Sequence, residues 1–208
     1  MNPSFKPQDD LAQIRTIMER STKFLSLSAF AAILAGVYAL VGAGIAWRII
    51  YGSDKVLYYD LKQEFITSDT LPLILVAGGV FVLAVGTGLL LSYRKALAAG
   101  QALWNAPAQR LVFNFIIPFS TGSLFVVILY FRGYYSLLAA STLLFYGLAL
   151  LNAGNFTFSD IRKLGMAEIV LGILAAIFPG KGLLFWALGF GVMHIVYGVI
   201  MYRKYERR

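Results

Sequence analysis

The chain has 208 residues, 59% of them hydrophobic and only 13% charged, with 18 Lys and Arg against 10 Asp and Glu and a net charge of +8. Soluble domains carry about 25% charged residues, so an ordinary soluble domain is excluded and an all-α polytopic membrane helix bundle is the expected fold. No cysteine and one histidine, His194, exclude disulfides and a catalytic zinc site built from three His or Cys ligands; no metal or cofactor is predicted, and only a carboxylate-rich magnesium or manganese site stays open.

In residues 1–23, Asp9 or Asp10 is placed to cap a helix with apolar Leu11, Ile14, Ile17 and Met18. This segment either lies on the cytoplasmic surface as an amphipathic helix or extends the first span. Charge-free apolar runs then define a transmembrane domain over 24–202, with six predicted helices at 24–47, 70–93, 111–131, 134–151, 164–178 and 182–202. A spanning helix needs about 20 apolar residues; 164–178 is short and contains Glu168, so a short or tilted span is expected there. The first run begins at Phe24 and is longer than a signal-peptide core, which predicts a retained span. The runs are continuously apolar, unlike alternating barrel strands, and a helix satisfies its own backbone in hydrocarbon. The stretch 48–69 is the longest between spans, long enough for a small external cap or partner surface. Residues 203–208 read as a basic cytoplasmic tail.

With the N-terminus inside, 13 Lys and Arg fall on the inner side and 5 on the outer side. That bias predicts both termini in the cytoplasm and location in the inner (plasma) membrane. The cations sit between apolar runs, so their expected partners are the bilayer and its anionic headgroups rather than nucleic acid. Aromatic residues mark the interfaces: Trp47 and Tyr51, Tyr130 through Tyr135, Tyr202 and Tyr205.

Gly36 to Leu40 resembles Gly79 to Leu83, a faint internal repeat. Gly36, Gly79, Gly172, Gly191 and Gly198 are predicted helix-packing positions, because small residues let backbones approach closely. Pro118, near Ser120 and Thr121, frees a backbone carbonyl in the third span.

Phe178-Pro179-Gly180-Lys181 suits a type II turn, so the last two spans should be antiparallel neighbours. Glu168 and His194 then fall about 15 and 18 Å below that turn at 1.5 Å per residue. Gly172 and Ala175 share a stripe with Glu168; Ala187, Gly191 and Gly198 share one with His194. Glu168 either bonds His194 and locks the hairpin, snorkels toward Lys163, or forms with His194 a proton- or ligand-binding pair. Asn114, Asn152, Asn155, Asp160 and Tyr197 are candidates to extend that pair into a polar pocket toward the inner side. No phosphate loop, dinucleotide, zinc-protease or nucleophile-elbow motif occurs, and no catalytic residue is assigned.

The segment Gly165 to Leu174, with Phe178-Pro179, Gly189, Gly191 and Tyr197-Gly198-Val199, resembles the hairpin repeat of HdeD-type bacterial membrane proteins. More broadly the chain is similar to six-span bacterial inner-membrane proteins. The hairpin resemblance implies a six-span fold and a link to acid stress. The leading expectation is therefore a non-enzymatic inner-membrane sensor or accessory module, responsive to stress or pH, working with a membrane partner or as a homo-oligomer. A small oligomeric transporter or channel using Glu168 and His194 is the alternative, ahead of a membrane-embedded enzyme.

Overall fold

The computed structural model describes residues 23–51, 70–100 and 102–207; the proposed amphipathic N-terminal helix and most of the 48–69 connection lie outside them. The described residues form six helices and no strand. They are α1 (Ala29–Tyr51), α2 (Thr70–Ala98), α3 (Ala106–Phe131), α4 (Leu138–Ala153), α5 (Asp160–Ile177) and α6 (Gly182–Glu206). All but α5 are long and apolar enough to cross a membrane. The 18 residues of α5 span about 27 Å, close to a hydrocarbon thickness of about 30 Å.

Neighbouring helices pack in the order α2–α1–α6–α5–α4–α3. The outermost two are barely covered: 0% of the apolar window of α2 and 6% of that of α3 are buried, against 39% for α1 and for α4 with its preceding turn. The tight part of the molecule is thus α1, α6, α5 and α4, and the other two carry Leu, Val, Ile and Phe outward. A stack of Phe81 on Phe119 connects α2 to α3.

Local sequence explains the joints. Asn105 accepts from the Ala108 N–H at 2.9 Å and opens α3. Gly133 has φ +79°, and the bonds Gly133 N–H to Tyr130 O and Tyr134 N–H to Leu129 O end that helix in a Schellman motif. Gly180 has φ +84° and Lys181 N–H donates to Phe178 O at 3.2 Å, the expected type II turn.

The predicted boundaries need three corrections. The first helix starts at Ala29, not Phe24: residues 24–28 are non-helical. Their backbone groups go elsewhere, with Phe24 N–H donating to Phe156 O, Phe24 O accepting from Thr157 Oγ1 and Leu27 O accepting from Lys95 Nζ. Residues 203–206 are no free tail; they continue α6, and Lys204, Tyr205 and Glu206 all bond back to the bundle. Finally, α2 and α3 run past the charge-free limits, to Ala98 and back to Ala106, since charged residues at the ends of a span leave the hydrocarbon without breaking the helix.

The glycines define one packing unit used twice. Ala29, Ile33, Gly36 and Leu40 of α1 meet Gly191, Ile195 and Gly198 of α6. Ala140, Leu144, Gly147 and Leu151 of α4 meet Gly165, Ile169 and Gly172 of α5 in the same way. A Cβ at Gly36 would lie 2.6 Å from Gly191 O, and one at Gly147 would lie 2.6 Å from Gly165 O. The segments Gly165-Met166-Ala167-Glu168-Ile169-Val170-Leu171-Gly172 and Gly191-Val192-Met193-His194-Ile195-Val196-Tyr197-Gly198 are therefore equivalent, with Glu168 and His194 in the same position of each. Because α5 and α6 are antiparallel, the two units point in opposite directions.

Gly36, Gly172, Gly191 and Gly198 thus pack as expected, while Gly79 does not: among the described residues a Cβ there would meet nothing within 4 Å. The contact between α1 and α2 is made instead by Gly42 against Val80, so the Gly36/Gly79 repeat has no counterpart in packing. Gly147→Val should lower the stability of the detergent-solubilised protein by about 1–3 kcal/mol through overpacking, whereas Gly79→Ala should stay within about 0.5 kcal/mol of the parent. Unfolding titrations in mixed micelles measure both.

Candidate functional site

Glu168 sits at the middle of α5, eight residues from Asp160, and is 0% exposed. The side chain lies against the backbone of Gly189; a Cβ on Gly189 would run into the Glu168 carboxyl and into Leu143. Absence of a side chain at 189 is what leaves space for the carboxyl. Gly189 lies in a stretch of α6, Ala187–Met193, wound as a π-helix, a local widening that recurs at functional sites.

His194 is 7% exposed and anchored at both ring nitrogens. Its Nδ1 lies 3.1 Å from Gly189 O. A carbonyl only accepts, so Nδ1 carries a hydrogen. Its Nε2 lies 2.8 Å from the Tyr146 hydroxyl, and with a neutral ring that phenol is the donor. Aromatic faces enclose the imidazole: Tyr146 at 5.5 Å and Phe190 at 6.0 Å, with the Trp186 ring tilted against Phe190 at 5.0 Å.

The carboxyl and the imidazole meet as the hairpin geometry predicted. Glu168 Oε1 is 3.4 Å from His194 Nδ1. That separation exceeds the 2.7–2.9 Å of a charge-assisted N–H···O bond, and among the described residues neither Glu168 oxygen has a hydrogen-bond partner. The snorkelling alternative is ruled out by complete burial. An open apolar groove of about 350 Å3 runs beside the pair, lined by Met166, Ala167, Val170, Leu171, Leu188 and Met193.

The asparagines do not extend the site. Pro118 has no N–H for the carbonyl four residues earlier, and the side chain of Asn152 donates to that carbonyl, Asn114 O, at 2.9 Å. Asn114 itself bonds Arg110 O, and Asn155 bonds Asn152 O. These three residues repair backbone at helix ends and at the proline, and the expected asparagine-lined pocket is corrected accordingly. Tyr197 does belong near the pair: among the described residues its buried hydroxyl has no hydrogen-bond partner, and its ring packs with Tyr146 against Leu150, Ile161 and Leu164.

Asp160 opens α5, outside the apolar stretch that begins at Leu164, and is 5% exposed. It accepts from Lys204 at 2.8 Å, Lys163 at 3.0 Å and the Tyr205 hydroxyl at 3.0 Å. The Lys204 hydrogen bond, joined by those from Lys163 and Tyr205, holds its carboxyl down to about 2 against the opposing effect of burial. Beside it, Glu206 accepts from Lys95 at 2.6 Å and from the Ala29 N–H at 3.0 Å, capping α1. This polar cluster closes the basic end of the bundle and stands about 12 Å of helix away from Glu168.

Tyr146 was not singled out from sequence, and Gly189 only as a glycine of the hairpin resemblance. A tyrosine at mid-span is itself a signal, because its ring favours the interface unless the hydroxyl is bonded. The contact of Gly189 with the Glu168 carboxyl had no comparable signal, since it depends on the π-helical winding. Among the described residues no group of three or more His, Asp or Glu is placed to hold a metal ion.

Antiparallel apolar helices with greasy outer faces and one enclosed polar pair define a multi-pass helical membrane protein. The chain matches no protein-family model, no curated protein and no solved structure.

An Asp with a lowered pKa adds stability at neutral pH that fades once acid protonates it in the folded state. Asp160→Asn should therefore destabilise by on the order of 1–3 kcal/mol at pH 7. The gap to the parent should narrow as pH falls from about 4 toward about 2. Thermal melts of both proteins across that range measure it.

Proposed function

We propose that this protein is a non-enzymatic, six-span module of the bacterial inner membrane in which protonation of Glu168 controls how α5 packs on α6. The observation that carries the reading is a fully buried carboxyl with no hydrogen bond to either oxygen among the described residues, 3.4 Å from an anchored imidazole. A charged carboxylate at mid-span costs roughly 2.5–3.5 kcal/mol on insertion scales unless it is paired. The neutral acid tolerates the observed spacing. Ionisation demands a closer partner: a bond to imidazolium would draw the groups together by about 0.6 Å from the spacing seen here. The pair sits where two glycine-packed helices touch, so that movement has to be taken up by α5 and α6. Such a response is consistent with the acid-stress association implied by the resemblance of the last hairpin.

In this reading α5 is a sixth span, both termini face the cytoplasm, and the basic end carrying Arg94, Arg110, Lys163 and Lys204 lies against anionic headgroups. A second reading, a small proton- or ligand-coupled transporter, is favoured by one observation: the oppositely directed packing units meet at the polar pair, as inverted repeats meet at transporter sites. The all-apolar lining of the neighbouring groove favours the module.

Trp186 lies tilted against Phe190, which stacks on His194, so its fluorescence reports on the pair. With Trp47 and Trp104 replaced by Phe, emission from Trp186 should change with pH in the parent and stay flat in Glu168→Gln. A response unaltered by Glu168→Gln would refute the coupling. For orientation, a cytoplasm-dependent reporter fused after Arg208 should be active; silence from a well-expressed fusion would reverse the topology.

A further inference from the structure

The apolar groove beside the polar pair follows the seam of α5 and α6. Ala167, Leu171, Leu188 and Met193 line it as half-buried residues, while Met166 and Val170 are 60% and 55% exposed at its edge. Leu171 and Leu188 lie seven and six residues from the Phe178–Gly182 turn, and Met166 and Met193 lie twelve and eleven. Both walls therefore cover the same depth, and the recess runs parallel to the helices for about 7.5 Å.

Both walls continue to cations at the basic end. On α5, Arg162 and Lys163 precede Met166 and Ala167 by three and four residues, on the same face. On α6, Met193 is followed by exposed Val196 and Ile200, and then by Lys204, eleven residues or about three turns on. The two lysines converge there. Asp160 Oδ1 accepts from Lys163 at 3.0 Å, and Oδ2 accepts from Lys204 at 2.8 Å. Two ammonium groups share one carboxylate, which leaves one positive charge over. Their side chains stay 80% and 51% exposed, and exposed Arg162 adds a further cation.

We propose that this groove seats one acyl chain of an anionic phospholipid from the leaflet at the basic end, with the lipid phosphate held by Lys163 and Arg162 above the Asp160 cluster. An apolar recess within the span and surplus positive charge where the span ends match the two parts of such a lipid. Lys163 is only about 4.5 Å of helix from Met166, so a chain descending from a phosphate at the interface enters the recess directly. Basic sites between transmembrane helices hold anionic headgroups in the same way. A zwitterionic lipid carries its own cation to the site and loses most of that attraction. A second copy of this chain fits worse: a two-fold axis along the membrane normal would set the surplus charges of both copies at one level, facing each other. The seated chain would cover Ala167 and Met193, the sequence neighbours of Glu168 and His194, and its binding requires neither of that pair to titrate.

The full chain is reconstituted into phosphatidylcholine vesicles with a trace of phosphatidylglycerol bearing a diazirine midway along one acyl chain, then irradiated, and the adducts are mapped by peptide mass spectrometry. Adducts should concentrate on Met166, Val170 and Met193, and be displaced by unlabelled phosphatidylglycerol but not by phosphatidylethanolamine. Lys163→Gln keeps the Lys204–Asp160 pair and should lower groove labelling about fivefold. Val170→Trp fills the recess from an exposed position and should abolish that labelling, while Leu75→Trp on the outer face of α2 should leave it unchanged. Adducts spread evenly over the outward faces of α2, α3 and α5, equal displacement by phosphatidylethanolamine, or undiminished labelling in Lys163→Gln would overturn the site. So would a disulfide-linked dimer formed through Val170→Cys, which would assign the groove to a second copy.

Discussion

Backbone contact between glycines is the constraint from which the rest follows. Gly36 against Gly191, and Gly147 against Gly165, bring helix axes close enough that a Cβ has no space. In hydrocarbon there is no hydrophobic drive to bring helices together, so dispersion at such close contacts has to supply much of the association. That closeness also decides the chemistry. It buries Glu168 completely, presses it against the bare backbone of Gly189, and holds the ring of His194 just beyond bonding distance. A looser bundle would admit a water or let the carboxyl swing out, and the acid would then be an ordinary one.

The polar groups divide by how they are satisfied. At the basic end Asp160 takes three donors and Glu206 takes two. These carboxylates fasten the non-helical segment 24–28, the end of α2 and the end of α6 into one layer. Inside, the Pro118 carbonyl deficit is met by Asn152. Against that background of repaired groups, the bare oxygens of Glu168 and Tyr197 stand out as unfinished, and unmet bonds in an otherwise satisfied core are where a change of protonation has something to do.

Much of this was legible in the sequence, for physical reasons. Long charge-free runs announce spanning helices because charge is what hydrocarbon refuses. Pro179-Gly180 announced a turn, and the turn set the common depth of Glu168 and His194. The real repeat was harder to see. It resides in Gly165, Glu168, Ile169 and Gly172 against Gly191, His194, Ile195 and Gly198, where one of the four equivalent positions, Glu168 against His194, differs in chemical type. The more conspicuous likeness of Gly36–Leu40 to Gly79–Leu83 has no counterpart in packing, since a Cβ on Gly79 would meet nothing within 4 Å among the described residues. Residues 24–28 were misread because apolarity alone cannot show that Lys95, Phe156 and Thr157 will claim their backbone groups. Asn114 and Asn152 were read as a pocket because their spare bonding was visible in the sequence and the carbonyl that used it was not.

The paired, oppositely directed packing units have a consequence for biogenesis. A helix pair whose contacts read alike from either end gives the insertion machinery no reason to prefer one direction of threading. The decision must then be made by groups outside the unit, among them Arg94, Arg110, Lys163 and Lys204. The interior is indifferent to up and down; the cations at the rim turn it into a molecule with two distinguishable faces.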